Sequence, residues 1–151
     1  MAFQGLDPIL FESVSNVTAS LGDRSPELGT RVIKDGVEYM FVYNAGGEQI
    51  SPGYGCVHNS ATAGFSVTVS SVSSADVLVG VCHHATLTTD TYGWVATKGV
   101  VPVEVPDAAS ALGQLELEGN GAFVPGTARV CGKALAAIAS GASGNAYIQG
   151  A

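Results

Sequence analysis

The sequence predicts an all-β protein, an antiparallel β-barrel or β-sandwich with an extended N-terminal arm, and three observations lead there. Turn signals recur every 8 to 15 residues along most of the chain. Between them, apolar residues alternate at a period of two or form short apolar runs, as strands do. No long helical stretch is present to cross over between parallel strands. Composition agrees, because 20 Gly, 6 Pro and extended Ser/Thr/Val stretches favour strands and turns over helices. A chain of 151 residues fits one domain of ordinary size. It divides into an arm, residues 1–28, and a barrel or sandwich domain, residues 29–151.

The arm has little periodicity: Pro8, the apolar run Ile9-Leu10-Phe11, a Ser/Thr/Asn stretch, then Gly22 and Pro26. A segment of this kind either docks on a neighbouring subunit or packs across its own domain. The strands begin after it. Arg31-Val32-Ile33 and Val37 to Tyr43 flank Asp35-Gly36, a two-residue signal for a type I′ hairpin because both positions tolerate positive φ. Val37, Tyr39, Phe41 and Tyr43 share one face of the second strand and Glu38 lies on the other. Asn44-Ala45-Gly46-Gly47-Glu48 ends it, and the Pro52-Gly53 turn leads into a short strand around Cys56-Val57.

Phe65, Val67 and Val69 alternate with Ser66, Thr68 and Ser70, the pattern of a half-buried antiparallel strand. After a polar break, Ser70 to Asp76, the run Val77-Leu78-Val79-Gly80-Val81-Cys82 is apolar on both faces. It is expected to be a central strand, with Gly80 marking a close backbone approach or a bulge. Tyr92 to Ala96 and Val100 to Val105 read as a further pair of strands around Lys98-Gly99. Pro102 lacks an N–H and must sit at an edge or turn its missing donor outward. Leu115-Glu116-Leu117-Glu118 and Gly119-Asn120-Gly121 give a short strand and a turn, while Lys133 to Ala139 reads as a strand or one helical turn.

Charge excludes several functions. Thirteen acidic residues against six basic ones give a formal charge of −7, and Arg24, Arg31, Lys34, Lys98, Arg129 and Lys133 form no stripe in the sequence. No nucleic-acid partner is expected without a basic stripe, and no membrane partner, since an acidic chain is repelled by both surfaces. Charged residues make up only 13% of the chain, about half the usual share. A surface so poor in charge suits contact with other protein subunits. The N-terminal residues Met1 to Asp7 lack the basic and apolar regions of a signal peptide, so synthesis and assembly in a cytoplasm are expected. Three widely spaced cysteines make no disulfide framework. The sequon Asn16-Val17-Thr18 then reads as an ordinary polar loop.

Chemistry has few candidates. Cys56, His58, Cys82, His83, His84 and Cys131 are metal-ligating residue types, but their spacing matches no metal pattern and no C-x-x-C pair exists. In a strand Cys82 and His84 share a face while His83 points the other way. No nucleophile elbow, Walker loop or dinucleotide fingerprint is present, and Glu116 and Glu118 line the solvated face of a strand. No catalytic residue, metal site or cofactor is therefore assigned, and the chain is not expected to be an enzyme. Tyr39, Phe41, Tyr43, Tyr54, Tyr92 and Trp94 form either a core, an interface or a sugar-binding platform.

The order of features resembles that of small capsid cement (decoration) proteins of tailed bacteriophages. The residues that carry the resemblance are Gly29-Thr30-Arg31-Val32 with Asp35-Gly36, Pro52-Gly53 before Gly55-Cys56-Val57, and Val79-Gly80-Val81. Gly93-Trp94-Val95 with Lys98-Gly99-Val100 and the closing Gly132-Lys133-Ala134-Leu135 complete the set, which spans most of residues 29 to 150. The resemblance implies a virion protein on the capsid exterior, usually a homotrimer. Its partner would be the major capsid protein, whose expanded lattice it would bridge against internal DNA pressure. It also implies that the arm reaches another subunit, so that removing residues 1–25 weakens capsid attachment and leaves the barrel folded. A trimeric receptor-binding or fibre module that binds host glycans is the alternative with the same β-rich character.

Overall fold

The computed structural model describes residues 26–59, 65–69 and 77–150. Residues 1–25, which hold most of the expected arm and the sequon, and the polar break at 70–76 lie outside the described residues. Among the described residues there are ten strands: β1 (Arg31–Lys34), β2 (Val37–Asn44), β3 (Gly55–His58), β4 (Ser66–Val69), β5 (Leu78–Cys82), β6 (Tyr92–Val105), β7 (Gln114–Leu117), β8 (Phe123–Pro125), β9 (Val130–Ala134) and β10 (Ala142–Gln149). A single 3-10 turn at Gly119–Gly121 is the helical content among the described residues. The fold is all-β, as expected.

The strands pair in the order β1-β2-β4-β3-β5-β6-β10-β9-β7-β8, and β2 also pairs with β6. That additional pairing closes β2, β4, β3, β5 and β6 into a five-stranded barrel, which removes the free edges of those strands. The remaining strands, β10, β9, β7 and β8, continue from the far half of β6 as a second sheet. Barrel and layered sheets are thus combined in one molecule.

Two cores follow from this arrangement. Met40, Val42, Cys56, Val67, Val79, Cys82 and Val95 fill the barrel, and Ile50 and Leu87, which form a bridge outside the strands, join them. Tyr39, Phe41, Val81, Trp94 and Ala96 point out of the barrel and pack with Val101, Val103, Leu115, Phe123, Ala134, Ala146 and Ile148. Strands β2 and β5 therefore bury both faces, which is why Met40-Phe41-Val42 and Leu78 to Cys82 are apolar at consecutive positions. The face of β2 opposite Tyr39 is core as well as solvent. Glu38 stays at its outer end, where it pairs with Arg31 and accepts a hydrogen bond from the Thr97 hydroxyl at 2.7 Å.

Local expectations are met at the first hairpin. Asp35 (φ 51°) and Gly36 (φ 78°) connect β1 and β2, whose register runs from Arg31 opposite Met40 to Lys34 opposite Val37. The Pro52-Gly53 turn leads into β3 and is closed by a Tyr54 N–H donated to the Ser51 carbonyl at 3.1 Å. The central placement of β5 between β3 and β6 holds too. A Cβ on Gly80 would stand 2.8 Å from the Ala96 carbonyl oxygen and 2.8 Å from a Val95 methyl. Gly80→Ala is expected to cost about 1–3 kcal/mol through overpacking, read as a lower urea midpoint with unchanged slope.

Three expectations are corrected. First, β4 is antiparallel to β3 but parallel to β2, with Tyr43 opposite Ser66, so the sheet is mixed. Closing the barrel through two residues of parallel pairing is a tertiary event that periodicity does not register. Second, Tyr92 to Val105 is one strand of 14 residues instead of a hairpin about Lys98-Gly99. Its first half pairs with β2 and its second half with β10, so each half already has a partner and has no need of the other. Gly99, at φ 127°, bends the strand without reversing it. Third, the segment Lys133 to Ala139, expected as a strand or one helical turn, is neither throughout: β9 ends at Ala134, and Ile138 forms a bridge with Ala109. Pro102 behaves as its chemistry requires. The Glu104 N–H bonds the Gly53 carbonyl at 2.9 Å, on the side away from β10, so Pro102, two residues earlier, turns its missing donor to that same side.

Candidate functional site

The second sheet has one buried and one exposed face. Val101, Val103, Ala134, Ala146 and Ile148 are fully buried, and the residues that alternate with them face solvent. Register places Tyr147 opposite Val100 on one side and Lys133 on the other, and Lys133 opposite Gln114. This row crosses four strands. Beside it lie Pro102 and Asn145, with Leu135 tied to Asn145 by a backbone hydrogen bond of 3.0 Å. Val100 is 44% exposed, Leu135 43% and Tyr147 38%, large apolar groups gathered on one face whose ionic groups are Lys98, Glu104, Glu116 and Lys133. An apolar surface of this kind, rimmed by polar side chains, is the make-up of a protein contact site.

A groove of about 630 Å³ opens at the edge of this face. Leu78, Leu117, Val130 and the aromatic Tyr147 give it apolar walls, Arg129 and Lys133 supply positive charge, and Glu116 stands beside it, opposite Val130 in register, its carboxylate accepting the Arg129 N–H at 3.4 Å. Val77, which the sequence assigns to the start of a strand, stands just before β5 at the groove and is 62% exposed.

The other polar cluster is at the exit of β5. The Tyr39 hydroxyl is 2.8 Å from His83 Nδ1 and 3.0 Å from His84 Nε2, and the two imidazoles lie 3.9 Å apart between centroids. Strand geometry would send these histidines to opposite faces; β5 ends at Cys82, and the bend after it brings both onto Tyr39. Burial, then the neighbouring His84, lowers the pKa of His83 to about 4, and burial followed by Lys34 lowers that of His84. Burial, with Asp35 nearby, raises Tyr39 to about 12. All three are neutral at pH 7. The folded state thus holds His83 unprotonated where the unfolded chain, with the ordinary value near 6.5, takes up a proton. Stability is expected to be full above about pH 6.5 and to fall as the pH drops towards 4. Half-exposure of the ring reduces the loss to the order of 1 kcal/mol. His83→Gln should flatten that slope in thermal melts recorded from pH 7 to 4; an unaltered slope would contradict the assignment.

The remaining Cys and His residues do not converge. Cys56 and Cys82 are buried in the barrel, while His58 is exposed at the end of β3. Burial pushes the Cys56 thiol up to about 12 and the Cys82 and Cys131 thiols to about 11, which leaves them as protonated, unreactive thiols. Among the described residues no group of three or more His, Cys, Asp or Glu side chains is placed to hold a metal. Glu116 is a structural acceptor, its carboxylate receiving the Ala128 N–H at 3.1 Å.

The aromatic residues form a ladder more than a platform. Tyr39, Phe41 and Trp94 are buried, and Phe41 packs on Trp94 and Tyr92 at centroid distances of 5.1 and 6.1 Å. Tyr92 and Tyr43 continue outward at 4.7 Å, with the Tyr43 hydroxyl donating to Asp90 at 3.1 Å. The exposed face around Tyr147 was not legible as a site, because Ala142 to Gln149 carries small and polar residues that give no strand pattern. The available signal was Val100 to Val105, apolar at every position but Glu104, which marks either a strand buried on two sides or one with a sticky outer face.

No family model matches the sequence, and no curated protein matches it. Among solved structures, the fold is similar to the crystal structure of the head fiber gp8.5 N base in bacteriophage phi29, with a TM-score of 0.56 and 11% sequence identity. The match covers 74% of this chain and 94% of that one. At that identity the likeness is one of fold.

Proposed function

We propose that this chain is a structural protein of a phage virion, a cement protein that sits on the outer surface of the head and bridges major capsid proteins of the expanded shell. The observation that carries the reading is the fold it shares with the head fiber base of phage phi29 over nearly all of that base. The exposed face of Val100, Leu135 and Tyr147 supports it, since it offers an apolar contact surface in a chain poor in charge. A ligand that binds only the expanded lattice stabilises that state in proportion to its differential affinity. The chain would act as a homotrimer, with binding energy as its output and no chemical step.

The test is sedimentation of the purified chain with expanded and with unexpanded heads. Pelleting with expanded heads alone supports the reading; no pelleting with either overturns it. The same fold likeness favours a second reading, in which the chain is a head-fibre module that itself binds host glycans. A glycan array probed with the full chain separates the two, because a cement protein binds no sugar on it.

A further inference from the structure

Two histidines and a tyrosine meet where β5 ends. His83 Nδ1 and His84 Nε2 lie 2.8 and 3.0 Å from the one Tyr39 hydroxyl, and the imidazole centroids are 3.9 Å apart. Adjacent residues of an extended strand turn to opposite faces, so the bend after Cys82 is what aims a nitrogen of each ring at a single point. We propose that this point is a binding site for one divalent transition-metal ion of the Zn²⁺ class, held by His83 Nδ1, His84 Nε2 and the Tyr39 oxygen, with water completing its coordination. The site needs no capsid.

The donors select the ion. Imidazole nitrogen suits Zn²⁺, Cu²⁺ and Ni²⁺, whereas Mg²⁺ and Ca²⁺ take carboxylate and carbonyl oxygens. Among the described residues no third His, Cys, Asp or Glu joins the pair, which leaves the phenol as the third protein donor. Donors bound tetrahedrally at about 2.0–2.1 Å stand about 3.3 Å apart, so each gap to the Tyr39 oxygen has to widen by about 0.5 Å or less. The imidazoles can supply that shift, because His84 is exposed and His83 half-buried, while Tyr39 is 3% exposed in β2. Without the ion the hydroxyl donates to one nitrogen and accepts from the other, which carries its ring proton there. Coordination moves that proton to the far nitrogen of the same ring. Lys34 and Asp35, at the β1–β2 turn, both act on His84, and Asp35 acts on Tyr39 as well. Their opposite charges leave no net repulsion against a cation. Once bound, the ion ties β2 to the segment after β5, two strands that do not pair with each other, and it stabilises the folded chain by binding that state alone.

Zinc chloride is the probe, added at about pH 7.5, where an ordinary histidine is neutral, to the full chain freed of metal with a chelator. In nitrogen-15 imidazole spectra the ring nitrogens of His83 and His84 are expected to move together and to saturate at one equivalent. His58, exposed at the end of β3, should not move by then. Calorimetric titration of His84→Gln, a change at an exposed position, should show Zn²⁺ affinity weakened at least about tenfold. His83 and His84 rings unmoved by an excess of Zn²⁺ would overturn the site. So would three histidines that shift in step without saturating, or an affinity that His84→Gln leaves unchanged.

Discussion

Tyr147→Asp combined with Leu135→Asp is expected to weaken attachment to expanded heads by about a hundredfold or more while leaving the fold intact. Both side chains stand on the solvent face of the second sheet, 38% and 43% exposed, and the residues between them, Ala146 and Ala134, carry the core contacts on the opposite face. Substitutions at such positions change stability by about 0.5 kcal/mol or less. At an interface the same groups are anchors. Burying a carboxylate where a tyrosine or leucine had packed costs about 1.4 kcal/mol or more at each site, and two sites together give the stated loss. Titration of each variant against expanded heads, with thermal melts alongside, checks both halves. Attachment equal to that of the unaltered chain would remove this face from the contact.

Phe41→Ala is expected to have the largest effect on stability, about 3–5 kcal/mol. Phe41 is 1% exposed, lies on the outward face of the barrel, and packs against Trp94 and Tyr92 in the core shared with the second sheet. The cavity opens where barrel and sheet meet, and side chains fixed in two layers have little room to collapse into it. Against a total of about 5–15 kcal/mol for a domain, the loss removes a large fraction of the stability. Urea unfolding followed by Trp94 fluorescence reads it. A cost under 1 kcal/mol would mean that barrel and sheet are not held together by this core.

Much of the barrel was legible because its signals are local. Asp35-Gly36 and Pro52-Gly53 fix turns by their own backbone chemistry, and Leu78 to Cys82 announces burial on both faces by being apolar at every position. What failed was non-local. The parallel contact of Tyr43 with Ser66 closes the barrel through two residue pairs, far too few to leave a pattern. The Lys98-Gly99 pair has the appearance of a turn, but Glu38 to Tyr43 and Ala142 to Gln149 claim the two halves of β6, and pairing with them prevails over a local reversal. β10 itself was unreadable because Ser143, Gly144 and Asn145 have weak strand preference and are held by their neighbours. The exposed face rests on β10, so it could not be found before the register was known. The histidine pair was seen as a set of residues, and its convergence on Tyr39 depended on a bend that sequence alone does not mark.

The face and the barrel divide the labour expected of such a molecule. Closure of the barrel protects its edges, and the continuation of β6 into the second sheet holds Val100, Leu135 and Tyr147 on a surface backed by packed core, so little ordering remains to be done on binding. The most direct measurement is electron cryomicroscopy of expanded heads incubated with the purified chain. The expected result is a ten-stranded module on the outside of the shell, over junctions between major capsid proteins, with the face bearing Tyr147 turned towards the lattice. Heads that stay bare at a saturating concentration of chain would contradict it.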